Sequence, residues 1–143
     1  MSDASAARPP KPRPAPPPDP ELGPYYAAAA EGRLVVQRCE ACGHAQLYPR
    51  LHCTRCRSTV HWEDASGLAT VYSFTVIRQH FVRPFRDMVP YVVALVDLDE
   101  GPRLMTNLVD VELDDVRVDL RVEARFEPVG EDAGLVLFVP VRD

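Results

Sequence analysis

Cys39-Glu-Ala-Cys42, ten intervening residues, then Cys53-Thr-Arg-Cys56: this stretch decides how the chain is read. Two residues between cysteines let both thiolates point inward from one tight turn. Two such turns, brought together by a hairpin, supply four sulfurs at tetrahedral angles. Gly43 follows the first pair, at a position where the turn can require positive φ. All four cysteines of the chain lie in this motif, so Cys39, Cys42, Cys53 and Cys56 are read as the ligands of one zinc ion. A closed four-thiolate site leaves no position for water or substrate, and the zinc is therefore structural. It supplies folding energy that a short ribbon cannot draw from a core of its own. A redox iron uses the same ligands, but its turns usually carry aromatic and glycine residues that shield the metal. The second pair here holds Thr54 and Arg55 and lacks a following glycine. Two disulfides would conflict with a reducing compartment. His44 and His52 flank the site and are read as outer groups; Arg38, Arg55 and Arg57 can soften the charge of the thiolates.

Towards the N-terminus, Arg33 to Arg38 alternates, with Leu34 and Val36 on one face, and predicts a strand leading into the cysteines. Before it, Pro24 suits a first helical position, Tyr25 to Glu31 favours helix, and Gly32 suits the stop. Residues 1 to 20 hold eight prolines, a composition that predicts a disordered leader. No apolar stretch in the leader could act as a signal peptide, so the expected compartment is the cytoplasm.

Towards the C-terminus the pattern changes to strands of even spacing, near Ala69–Ile77, Tyr91–Leu98, Arg103–Val109, Arg121–Glu127 and Leu135–Val139. Turn signals separate them at Gly67, at Asp99-Glu100-Gly101-Pro102, at Asp114-Asp115 and at Gly130-Glu131-Asp132. Tyr91–Leu98 is nearly continuous apolar sequence and reads as a strand buried on both sides. Five short strands without a helical pattern between them predict a five-stranded OB-type barrel. The expected architecture is mainly β: leader over 1–20, helix and zinc ribbon over 21–65, OB-fold over 66–143.

The chain has 143 residues, 46% of them hydrophobic and 26% charged, with a net charge of -5. No apolar run approaches the ~20 residues of a membrane-spanning helix. From Arg33 to Arg57 there are five arginines against one acid, whereas Asp87 to Asp132 has thirteen acids against four arginines. A nucleic-acid binder would show a broad basic face, and the single lysine and acidic second half argue against one. A nucleic-acid-binding ribbon/OB module is the alternative reading.

With every cysteine on the metal, no thiol nucleophile remains. No serine sits in a Gly-x-Ser-x-Gly turn, and no glycine-rich phosphate loop occurs. His80 has no partner that the sequence can name. The segment Arg78-Gln-His-Phe-Val-Arg-Pro-Phe-Arg-Asp-Met88 is the most suggestive remaining feature. Arg78, Arg83 and Arg86 could fork onto phosphate, and Phe81 and Phe85 could cover an adenine or an acyl chain. The bland alternative is an exposed loop with a partly buried aromatic anchor.

Gly32-Arg-Leu-Val-Val-Gln-Arg-Cys39, Cys42-Gly43, Tyr48-Pro-Arg50, Cys53-Thr-Arg-Cys56, Ser66-Gly-Leu-Ala-Thr-Val-Tyr-Ser73 and Pro90-Tyr-Val-Val-Ala-Leu-Val-Asp-Leu-Asp-Glu-Gly-Pro-Arg103, continuing into Thr106-Asn-Leu108, resemble a known family. Its members are small proteins with an N-terminal helix, a rubredoxin-like zinc ribbon and an OB-fold, and they accompany enzymes of acyl-CoA metabolism. The resemblance covers about Tyr25 to Val139, and it rests on the order and spacing of these stretches. It implies a non-catalytic subunit in a hetero-oligomer with a thiolase-superfamily enzyme, such as a lipid-transfer-type aldolase, or with an acyl-CoA hydratase. The chain would help bind the CoA thioester in lipid, steroid or aromatic acyl-CoA metabolism. Arg50 and the Arg103–Asn107 segment carry over as candidate CoA contacts. Two departures stand out. Val118-Asp119-Leu120 replaces the family's Gly-hydrophobic-Pro turn, and the second cysteine pair lacks the usual Pro and Gly.

Overall fold

The computed structural model describes residues 13–142, so residues 1–12 of the expected leader lie outside the described residues. The order of elements is α1 (Gly23–Ala30), β1 (Val35–Cys39), β2 (Ala45–Gln46), β3 (Val60–Asp64), β4 (Leu68–Ile77), α2 (Phe85–Met88), β5 (Tyr91–Leu98), β6 (Arg103–Leu108), a 3-10 turn at Leu113–Asp115, β7 (Arg121–Val129) and β8 (Ala133–Pro140).

Helix α1 forms because Pro24 lies in its first turn and four alanines, the best helix formers, follow the two tyrosines. The Asp19 carboxylate accepts hydrogen bonds from the Glu21 and Leu22 amides at 2.8 and 3.1 Å, occupying donors that the helix start leaves free. At the other end the Arg33 amide donates to the Ala28 carbonyl and the Gly32 amide to the Ala29 carbonyl, the paired closure of a Schellman stop. The helix buries Tyr25, Ala28 and Ala29 against β7 and β8. Burial pushes the Tyr25 phenol well above its ordinary pKa.

The ribbon is a three-stranded antiparallel sheet in the order β2-β1-β3, and the rest closes as a barrel in the order β4-β5-β6-β8-β7, with β7 returning to β4. This is the five-stranded OB topology. A bulge at Tyr72 shifts the β4–β5 register from Val71↔Val96 to Ser73↔Leu95. It bends the long β4 so that one strand serves β7 at its start and β5 along its length. Strands β6 and β8 meet in parallel at a single pair, Leu108↔Phe138. The Thr106 hydroxyl helps to close this thin seam by donating to the Val136 carbonyl at 2.9 Å, while the Tyr48 hydroxyl of the ribbon loop accepts from the Met105 amide of β6 at 2.9 Å.

Val71, Val92, Val96, Val122 and Phe138 fill the barrel, and Leu34, Val35 and Val36 of the ribbon belong to the same buried cluster as Tyr25 and Ala29. One core thus runs from helix through ribbon into barrel. Each fully buried Val contributes about 1.5–3 kcal/mol relative to exposure. Strand β5 corrects one expectation. Val92, Ala94, Val96 and Leu98 point inward, but Tyr91, Val93, Leu95 and Asp97 remain partly exposed. A closed barrel has one dry face, and the outer row of β5 is apolar without being enclosed.

Where the family's glycine turn is missing, Asp119 takes a left-handed φ of 72°, a conformation that a short polar side chain tolerates. Its amide donates to the Val71 carbonyl at 2.9 Å, and the Val71 amide returns a bond to Leu120 at 3.0 Å. The described part of the leader lies against the barrel: Arg13 donates to Asn107 Oδ1 at 2.8 Å and approaches Glu127 at 3.7 Å. No helix among the described residues is long and apolar enough to cross a membrane.

Candidate metal centre

Strand β1 delivers Cys39, and the turn after it delivers Cys42; a second turn carries Cys53 and Cys56. The four sulfurs lie within 4.8 Å of one another. Cys39 Sγ is 3.4 Å from Cys56 Sγ, and Cys42 Sγ is 3.7 Å from Cys53 Sγ. Sulfurs about 2.3 Å from a tetrahedral Zn²⁺ are about 3.8 Å apart along each edge. The donor set and its spacing therefore fit zinc, and four thiolates complete its coordination.

Backbone amides stabilise the Cys39 and Cys53 sulfurs as thiolates. Ala41 and Cys42 donate to Cys39 Sγ, and Arg55 donates to Cys53 Sγ, each at 3.3 Å. Hydrogen bonds from the Ser58 hydroxyl and amide draw the Cys56 thiol down to about 6. The Cys56 and Arg55 amides lower the Cys53 thiol against the opposing effect of burial. Arg38, one of the arginines read as softening the thiolate charge, pairs with Glu63 at 2.7 Å and donates to the Gly43 carbonyl of the first cysteine turn at 2.8 Å. His44 and His52 contribute carbonyls, to the Cys39 amide and to Gln46 Nε2 respectively.

The two turns are near copies. The Gly43 amide donates to the Cys39 carbonyl at 3.2 Å, and the Arg57 amide to the Cys53 carbonyl at 2.9 Å. Gly43 has φ 75° and Arg57 has φ 66°, so the second turn makes the same left-handed step without the glycine. A left-handed non-glycine residue costs about 1–2 kcal/mol. We expect Arg57→Gly to be tolerated or to raise stability by up to about 1 kcal/mol in chemical denaturation, while Gly43→Val lowers it by about 1–2 kcal/mol.

Sequence reasoning missed a buried amide pair that fixes these turns. Gln37 and Gln46 are 6% and 4% exposed. Gln46 Nε2 donates to Gln37 Oε1 at 2.9 Å, Gln46 Oε1 accepts from the Thr54 amide at 2.9 Å, and Gln37 Oε1 accepts from the Arg50 amide at 2.9 Å. The pair thus ties the loop between the cysteine turns to strands β1 and β2. The available signal was Gln37 itself, an uncharged amide directly after the apolar Leu34-Val35-Val36. Gln46→Leu strands the Thr54 amide and the His52 carbonyl. It should cost about 1–3 kcal/mol and speed zinc release to a chromogenic chelator.

The other candidate residues fall in three places. Arg50 is exposed in the ribbon loop, with Nη1 on the Pro49 carbonyl. Arg103 and Asn107 lie on the outer row of β6. Arg103 forms a two-pronged pair with Asp97 at 2.6 and 3.2 Å and stacks 3.4 Å over the Tyr72 ring, and Asp97 raises its already high pKa. Asn107 accepts from Arg13 and donates to the Val92 carbonyl. Arg78, Phe81, Arg83, Phe85 and Arg86 share the β4–β5 connection, where Arg83 pairs with Asp87 at 2.6 Å. The His80 and Phe85 rings lie 5.2 Å apart, and Phe85 rests 6.2 Å from Tyr91.

A helix, a four-cysteine ribbon and an OB barrel on one continuous core define a zinc-ribbon/OB protein. Residues 27–61 match the family model of the ChsH2 rubredoxin-like zinc ribbon domain, and residues 62–127 match that of the ChsH2 C-terminal OB-fold domain. The chain belongs to this ChsH2/DUF35 family. It is 35% identical over 103 residues to a DUF35 domain-containing scaffold protein of Methanocaldococcus jannaschii, covering 69% of this chain and 71% of that one. It is 37% identical over 118 residues to a Thermomonospora curvata protein described as "Probable enoyl-CoA hydratase alpha subunit", covering 81% of this chain and 36% of the longer relative. Among solved structures, a chain of the Ltp2-ChsH2(DUF35) aldolase superposes with TM-score 0.79 at 34% identity, over 88% of this chain and 98% of that chain. A DUF35 protein from Sulfolobus solfataricus shares the fold at TM-score 0.58 and 14% identity, over 82% and 83% of the two chains.

Proposed function

We propose that this chain is a non-catalytic scaffold subunit that assembles with a thiolase-superfamily aldolase or thiolase, or with an acyl-CoA hydratase, and supports binding of the CoA thioester. The observation that carries this reading is the apolar surface left open on ribbon and barrel: Leu51 is 73% exposed, Met105 61% and Phe81 80%. These side chains are available for a partner to cover. The relative whose solved structure is an aldolase complex supports an aldolase-type partner. The zinc braces the docking ribbon, and its thiolates suit a reducing compartment such as the cytoplasm. Arg50, exposed beside the ribbon loop, is the residue assigned to a CoA phosphate. Arg103 and Asn107 are already engaged, so their part is to hold the barrel surface around it.

The nucleic-acid reading gains nothing from the barrel face, where Asp97, Asp99 and Asp110 pair with Arg103, Arg121 and Arg125. Those pairs neutralise three of the arginines that a phosphate backbone would need. The test is affinity purification of the tagged chain from its own cells with identification of what it retains. Retention of a thiolase-fold or hydratase subunit in fixed stoichiometry supports the reading. An isolated chain that turns over acyl-CoA, or binds single strands tightly and salt-sensitively, contradicts it.

A further inference from the structure

The connection between β4 and β5 carries the most exposed large apolar side chain of the described residues, Phe81 at 80%, next to Val82 at 61%. It is a built loop. Pro84 is buried at its base. The Phe85 ring packs between His80 and Tyr91. The Val82 amide donates to His80 Nδ1 at 3.1 Å, the Arg86 amide to the Val82 carbonyl at 2.9 Å, and Arg83 is pinned to Asp87. The loop therefore holds its tip in place rather than collapsing Phe81 onto the barrel. Arg78 and Arg86 are exposed on either side, and among the described residues neither forms an ion pair with this chain's carboxylates.

Two occupants compete for such a tip: a nucleotide with its acyl chain, or a protein. A small-molecule site is concave and buries most of its ligand. Five cavities among the described residues are lined from the ribbon–barrel junction, the leader and α1, and the β6–β8 side, and these five take no residue from 78–90. Phe81 stands on a convex tip and needs its concavity from the other molecule. A pre-ordered aromatic with flanking arginines is also the composition of an interface hot spot, and prior ordering removes part of the entropy cost of docking.

We propose that Phe81 and Val82 form the anchor by which this chain docks on its enzyme subunit, entering an apolar pocket whose rim carries carboxylates for Arg78 and Arg86. The inference rests on the scaffold reading above and assigns the loop to the protein partner, not to CoA. It is tested on the full-length chain and the enzyme subunit with which it co-purifies, by calorimetry of wild type, Phe81→Ala and Arg78→Glu/Arg86→Glu. Phe81→Ala should raise the Kd by about 30-fold or more while zinc content and Tm stay at wild-type values. The double charge reversal should slow association most at low salt. A complex with unchanged Kd overturns the loop assignment alone; absence of any complex with wild type overturns the scaffold reading itself. In a parallel arm the isolated chain is titrated with coenzyme A. Binding that Phe81→Ala abolishes would make the loop a nucleotide clamp and overturn the proposal, as would loss of self-association of this chain as the sole effect.

Discussion

Cys53→Ser is expected to abolish zinc retention and unfold the ribbon. Cys53 is buried, its sulfur lies 3.7 Å from that of Cys42, and it receives the Arg55 amide. A structural zinc contributes about 10–16 kcal/mol to the fold of a small ribbon at neutral pH, more than the whole stability of most domains. A serine hydroxyl does not replace the thiolate, and a three-coordinate ion opens to water. The loss should not stop at the metal. Leu34, Val35 and Val36 sit in the common core with α1 and the barrel, so the barrel melts at lower temperature once β1 is released. Metal analysis should find the variant without zinc, and circular dichroism should show a broadened, lowered transition. His52→Ala is the matching control. Only the backbone carbonyl of His52 is used, so this variant should hold zinc as wild type does. Full zinc content in Cys53→Ser would show that the ligand set has been misassigned.

Gly134→Val should be the most damaging change outside the metal centre. Helix α1 crosses β8 so closely that a Cβ on Gly134 would stand 2.6 Å from the Ala29 carbonyl carbon and 2.7 Å from its oxygen. Those neighbours are backbone and cannot rotate away. The helix must lift from β7 and β8, exposing Tyr25, Ala28 and Ala29. Overpacking of this kind costs about 3 kcal/mol, a fall in Tm of about 10 °C for a domain of this size. Thermal melts should show that drop with zinc content unchanged. Gly23→Ala is the contrast, because nothing lies within 4 Å of a Cβ at that position. It should leave Tm at or above the wild-type value.

The parts of this fold that were legible in the sequence are those set by local pattern. The metal ligands follow from cysteine spacing. The five barrel strands follow from alternation broken by Gly67, Gly101 and Gly130, and α1 from Pro24 and Gly32. What was not legible is set by residues far apart in sequence. The Gln37–Gln46 pair needs β2 laid on β1, and nothing in Ala45-Gln46 alone announces a strand. The bulge at Tyr72 comes from the barrel's need to bend β4, not from a glycine. Arg57 in a left-handed turn contradicts its own propensity, and its amide closes that turn on the Cys53 carbonyl. At the candidate site, the arginines were visible as residue types but their partners were not. Arg103 is committed to Asp97 and Tyr72, Arg83 to Asp87, and only Arg50, Arg78 and Arg86 are left to face other molecules.

The zinc-braced ribbon and barrel are proposed to exist for docking on an enzyme. Native mass spectrometry of the co-purified assembly, before and after removal of zinc by a chelator, tests it most directly. The expected result is a hetero-oligomer with one zinc per copy of this chain, and release of this chain from the enzyme subunit when the metal is withdrawn. A complex that survives with metal-free chain, or a zinc-loaded chain that stays alone and turns over acyl-CoA, would contradict it.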